Sequence, residues 1–126
     1  MPLSTQFRDF VLEQLQPVGR ITSKSMFGGA GLYFNTIFFG ILFNDTLYLK
    51  VDDSNRNDYE SEGMQPFKPY KNRPATLQYF EVPANVLESP ELMTAWARKA
   101  IHAAKTAKAQ KSVVKSMRLS KVIKKK

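Results

Sequence analysis

The sequence predicts an α+β fold of two layers, an antiparallel sheet of about five strands with helices on one face. Three observations carry this. Amphipathic helical stripes stand near both ends of the first hundred residues. Between them, segments of strand character are separated by two-residue turns, Asn35-Thr36 and Asn44-Asp45, and turns that short join only antiparallel neighbours. The segments run helix, three strands, helix, one or two strands, helix, without an internal repeat.

Each element has its own signal. Over residues 4–16, Phe7, Phe10, Val11 and Leu15 share a stripe, with Arg8, Asp9 and Glu13 outside it. Ser4 or Thr5 caps this helix, and Pro17 and Gly19 end it. One long strand is read from Ile21 to Phe34, bent at Gly28-Gly29 so that it curls around the last helix. Residues 37–43 are apolar on both faces, which suits a central strand. The next strand alternates, with Leu47, Leu49 and Val51 inward and Tyr48, Lys50 and Asp52 outward. Ser54 caps a short helix that stops at Gly63. Pro66, Pro69 and Pro74 make residues 64–75 a loop or an irregular edge strand. A further strand covers Thr76 to Val82 and ends at Pro83. Ser89-Pro90-Glu91 is a cap, a first-turn proline and an early acid, and starts the last helix. Its core stripe is Leu92, Met93, Trp96, Ala97, Ala100, Ile101 and Ala104.

Charge divides the chain at that point. Residues 1–104 hold 10 Lys/Arg against 11 Asp/Glu, a net of −1, whereas residues 105–126 hold 9 Lys/Arg and no acid. The expected organisation is a near-neutral domain over 1–104 and a basic tail over 105–126 that suits an anionic partner. In the tail, Lys105, Lys108, Lys111, Lys115, Arg118 and Lys121 recur every three or four residues, and Lys124, Lys125 and Lys126 follow. This segment either extends the last helix or is disordered, because like charges at that spacing repel. No apolar run is long enough to span a bilayer, and no signal-peptide pattern opens the chain. With no cysteine there is no disulfide, thiolate nucleophile or cysteine-ligated metal. The expected setting is cytoplasmic, with no metal and no cofactor.

Three glycines, Gly28, Gly29 and Gly31, invite a phosphate-loop reading. That chemistry needs a Gly-Lys-Ser/Thr or Gly-x-Gly-x-x-Gly run opening a helix, where backbone N–H groups meet the anion. Here the cluster leads into Leu32-Tyr33-Phe34, a second β-like run, so it reads as sheet architecture. Catalytic constellations are equally thin. His102 is the one histidine and has no carboxylate close in sequence. Asp52-Asp53 is the one adjacent acid pair; on a strand the two side chains point apart, and their place before Ser54 suits a turn. Lys50 serves as a base only if buried, and its outward position reads as solvated. The sequence therefore predicts a non-enzymatic protein.

The stretch Ser25-Met26-Phe27-Gly28-Gly29-Ala30-Gly31-Leu32-Tyr33, followed by Leu47-Tyr48-Leu49-Lys50-Val51-Asp52, resembles the N-terminal domain of the TfoX/Sxy competence-regulator family. The likeness continues through Tyr59, Gly63, Pro66-Phe67, Tyr79-Phe80-Glu81-Val82-Pro83, Leu87-Glu88 and Leu92 to Trp96-Ala97-Arg98-Lys99-Ala100, covering residues 5–104. The resemblance implies an α-β3-α-β2-α arrangement like that of type III secretion chaperones, with the second strand of the β2 unit around Phe67–Tyr70. The name-giving members promote transcription of competence genes with the cyclic-AMP receptor protein and carry a second, helical domain. The resemblance implies a free-standing N-terminal domain here, and it brings no catalytic residues.

Three functions follow as expectations. The first is a regulatory module that touches protein partners and, through the basic tail, nucleic acid. The second is a chaperone-like homodimer that pairs through an open sheet edge or face, with Tyr48, Lys50, Lys71 and Arg73 as surface candidates. The third is a small-ligand binder with a polar pocket between sheet and helices near Gly28–Gly31.

Overall fold

The computed structural model describes residues 4–26, 28–70 and 72–124, with backbone alone over 108–124. Phe27, Lys71, Lys125 and Lys126 lie outside the described residues, as do the side chains of Lys108, Lys111, Lys115, Arg118, Lys121 and Lys124.

Ser4 opens α1 (Thr5–Gln14) by accepting the Phe7 N–H at 3.1 Å. That is an N-cap hydrogen bond. The helix buries Val11, and Leu15 just beyond it is fully buried. Phe10 departs from the expected stripe and is 38 % exposed. A short 3-10 turn over Gln16–Val18 and Gly19 at φ 136° end the segment, as Pro17 and Gly19 foretell.

Six strands follow: β1 (Ile21–Met26), β2 (Gly29–Phe34), β3 (Ile37–Phe43), β4 (Thr46–Lys50), β5 (Pro66–Phe67) and β6 (Thr76–Glu81). They form one sheet in the order β1-β2-β3-β4-β6-β5, antiparallel throughout. The remaining helices are α2 (Arg56–Glu60), α3 (Ala84–Leu87) and α4 (Pro90–Lys124). The α+β class and the antiparallel sheet agree with the expectation.

The strand read from Ile21 to Phe34 is instead a hairpin. Met26 faces Gly29, and Ile21 faces Phe34. The chain reverses within two residues because Gly28 adopts φ 79°, the left-handed backbone that a tight hairpin loop requires. The other turns are as expected: Asn35 has φ 56°, and Asn44 and Asp45 both have φ 52°. The short partner of β6 is Pro66–Phe67 rather than Phe67–Tyr70.

β3 is central, as its two apolar faces require. Its pairing with β2 slips between Leu32 and Tyr33, which leaves Phe39 as an extra residue. The bulge lets Phe39 turn fully into the core beside Gly40, whose missing side chain leaves room for Leu32 and Leu49. The inward face of β4, Leu47 and Leu49, is as predicted, and Val51 continues it. This face packs on α1, α3 and α4 in one cluster that also takes in Tyr59 and Phe80.

The Ser89 hydroxyl accepts the Leu92 N–H at 3.2 Å and starts α4 where expected. Met93, Ala97, Ala100, Ile101 and Ala104 are buried, and Trp96 is half-buried edge-on to Tyr59 at 4.7 Å. Leu92 departs from the expected stripe and is 42 % exposed. Small residues on this face let the helix lie close to β3. Beyond Ala104, α4 continues as helix to Lys124, so the basic segment extends it. Those 20 further residues correspond to about 30 Å.

Candidate functional site

The glycine cluster is structural. A side chain on Gly29 would overlap the Leu42 carbonyl oxygen of the neighbouring strand. One on Gly31 would meet Phe38 Cε1 at 2.7 Å and Met26 Sδ at 2.9 Å. The cluster joins two strands and precedes no helix, so its amides are not arranged as a phosphate cradle.

The corner after β4 is held by local polar contacts. The Asp52 carboxylate accepts the Ser54 N–H at 2.9 Å and the Ser54 hydroxyl at 2.5 Å. The Ser54 hydroxyl bond is the main reason the Asp52 carboxyl titrates below its ordinary range. Asp53 pairs with Arg56 at 2.6 Å. Both acids thus serve the turn, as read from sequence. The cap of α2 differs from the expected Ser54: the residue at that position is Asn55, and its side chain makes no cap bond to the helix. It is fully buried, accepts the Asp52 N–H at 2.8 Å and donates to the Lys50 carbonyl at 3.1 Å. Replacing it removes two bonds at once and leaves buried backbone groups unmatched. Asn55→Ala is expected to cost about 1–3 kcal/mol, read as a lower urea midpoint; an unchanged midpoint would contradict this role.

Lys50 is not the solvated lysine its strand position suggests. It is 8 % exposed, donates to Gln78 Oε1 at 2.8 Å and lies 5.2 Å from the Tyr79 ring centroid. It is buried because Tyr79, its cross-strand partner, and Phe38 flank it on the same face. It lines a polar hollow of about 360 Å³ with Asp52, Ser54, Gln78 and Thr106. His102 is exposed on α4, and among the described residues no cluster of histidines and acids could hold a metal ion.

The face of the sheet away from the helices carries most of the remaining chemistry. Tyr33, Phe38 and Tyr79 form a row, with ring centroids 5.2 Å and 5.7 Å apart. The Lys24 ammonium lies 5.1 Å from the Tyr33 centroid. Burial pushes the Tyr79 phenol up to about 12. At the other end of this face, Phe67 touches Phe43 and Tyr48 at 5.6 Å and 4.7 Å. Burial first, then Glu81, raises the Tyr48 phenol above its ordinary value. An apolar cleft of about 370 Å³ opens there, lined by Met26, Ile41, Phe43, Phe67, Pro69 and Tyr70. It lies beside the glycine hairpin but on the outer face, and its lining is apolar rather than polar. Sequence reasoning missed the aromatic row because the three rings are far apart in the chain and only strand register brings them together. Arg73, one of the surface candidates, lies over the Tyr70 ring at 5.6 Å.

The comparisons with known proteins agree with this architecture. The model of the TfoX N-terminal domain matches residues 13–104. The DNA transformation protein TfoX1 of Aliivibrio fischeri is 32% identical over 81 residues, which is 64% of this chain and 37% of that protein. The match thus spans little more than a third of the relative's length. The family region, residues 13–104, takes in the hairpin glycines, the Leu49-Lys50 strand end and Trp96 on α4, and the chain belongs to the TfoX N-terminal domain family.

Proposed function

We propose that this protein is a non-enzymatic regulatory module of the competence system, acting through protein–protein contacts and through nucleic acid held by the basic extension of α4. The carrying observation is the joining of two parts: a family domain over residues 13–104, and a helix that continues from it to Lys124 with seven Lys/Arg and no acid over residues 105–124. A helix with that charge attracts phosphates without sequence preference, and each phosphate neutralised releases a counterion. The first such residue, Lys105, is exposed and lies 5.7 Å from the Phe34 ring.

The test is a salt titration of duplex DNA binding. Neutralising Lys108, Lys111, Lys115 and Lys121 to Gln in the full chain removes up to four contacts. The slope of log affinity against log salt is then expected to fall by about 3–4, at roughly 0.9 per phosphate contact. An unchanged slope would remove the basic helix from the reading.

A second reading is a homodimeric, chaperone-like module. It is favoured by β1, a six-residue edge strand with one side unpaired in the sheet order, and by the apolar cleft beside it. A monomer at high concentration in sedimentation would count against it.

A further inference from the structure

We propose that the outer face of the sheet is a stacking platform for single-stranded nucleic acid, centred on Tyr33, Phe38 and Tyr79. The inference rests on the reading of the α4 extension as a phosphate-binding helix and deepens it. Bases stack on exposed aromatic rings irrespective of sequence, while cations track the backbone. An antiparallel sheet suits this use, because cross-strand register brings rings from different strands into one row.

The geometry supplies both parts. The three rings come from β2, β3 and β6 and touch in sequence across the sheet. All three are half-buried, so each keeps part of its surface in solvent. One exposed ammonium belongs to the row, Lys24 beside Tyr33, while the buried Lys50 packs against Tyr79 and is engaged by Gln78. The row is also continuous with the basic helix. A hollow of about 250 Å³ is lined by Phe38, Lys50 and Tyr79 from the sheet and by Ala104 and Ala107 from α4. Lys105 and Lys108 flank those alanines in sequence, so the rings end where the basic run begins.

The acids fit the same path. Glu81 follows Tyr79 by two residues on the same face, opposite Tyr48, and bounds the row on that side. Asp52 and Asp53 lie past Lys50, and Asp53 is held by Arg56. A strand is thus directed along Lys24, Tyr33 and Phe38 toward α4 rather than over the Asp52 corner. Duplex DNA keeps its bases stacked and can use only the cations. The platform therefore adds affinity for single strands alone.

The experiment compares a labelled 16-nucleotide oligothymidine with a duplex of equal length, by fluorescence anisotropy on the full chain. The expected result is tighter binding of the single strand. Tyr33→Leu combined with Tyr79→Leu keeps apolar bulk while removing two ring faces. It is expected to weaken single-strand binding at least fivefold, with duplex affinity within about twofold of the parent. Tyr33→Leu alone, in which Tyr79 packing is untouched, serves if the double variant fails to fold, and near-ultraviolet circular dichroism checks this. Equal losses on both probes, or none on the single strand, would overturn the platform. A seat for a second copy would instead shift sedimentation in the variants and leave single-strand affinity intact, which also overturns it. The lysine-to-glutamine variants fail separately: they report on the basic helix through duplex binding, whatever the rings do.

Discussion

Gly29→Ala is expected to be the most damaging of the glycine substitutions, costing at least the upper end of the ~1–3 kcal/mol typical of overpacking. The added methyl would overlap the carbonyl oxygen of Leu42. That oxygen belongs to the backbone of β3, the strand at the centre of the sheet, and cannot swing aside as a side chain can. Relief requires β2 and β3 to separate where Ala30 faces Leu42. Gly31→Ala meets only the Phe38 ring and the Met26 thioether, both of which can rotate. Gly28→Ala meets nothing within 4 Å but must adopt φ 79°, a cost of about 1–2 kcal/mol. In urea denaturation the Gly29 variant should therefore have the lowest midpoint of the three, by about 1 M or more relative to the parent. A Gly29→Ala midpoint equal to that of Gly31→Ala would show that the hairpin does not press on β3.

The same residues explain what could be read from the sequence. The β3 and β4 segments were legible because burial on both faces, or on one, writes itself directly as apolar runs or strict alternation. The Asn-rich turns were legible because few residues tolerate positive φ. The first hairpin was not. β1 is an edge strand of Ile21, Thr22, two serines, a lysine and Met26, with weak periodicity. In β2, Gly29 and Gly31 carry no side chain to mark a face. What separates a bent strand from a reversal is the backbone of Gly28, which residue type alone leaves open. Lys50 was misplaced for a related reason. Alternation correctly set it on the outer face, but its burial comes from Phe38 and Tyr79 on two other strands. The basic helix was visible as composition, whereas the aromatic row that meets it exists only after the sheet has formed.

Tyr59 should give opposite results on truncation and on conservative replacement. Its ring is 1 % exposed and bridges α2 to the sheet and to α4, through Phe80 at 5.9 Å and Trp96 at 4.7 Å. Tyr59→Ala opens a cavity where three elements meet and is expected to cost about 3–5 kcal/mol. The phenolic hydroxyl, however, is buried and has no hydrogen-bond partner among the described residues. Tyr59→Phe removes a desolvated group while keeping the ring, and should raise stability by about 1 kcal/mol. A pH test separates this from a packing effect. Burial raises the Tyr59 phenol above its ordinary value in the folded chain, whereas in the unfolded chain it ionises near pH 10. The folded state then holds the proton that the unfolded state gives up, so stability falls as pH climbs past about 10. Tyr59→Phe should flatten part of that alkaline slope, with Tyr79 and Tyr48, whose phenols are also raised, contributing to the part that remains. A Phe variant less stable than the parent at pH 7, with the slope unchanged, would mean that the hydroxyl is satisfied in solution and that α2 is fastened by a bond rather than by the ring.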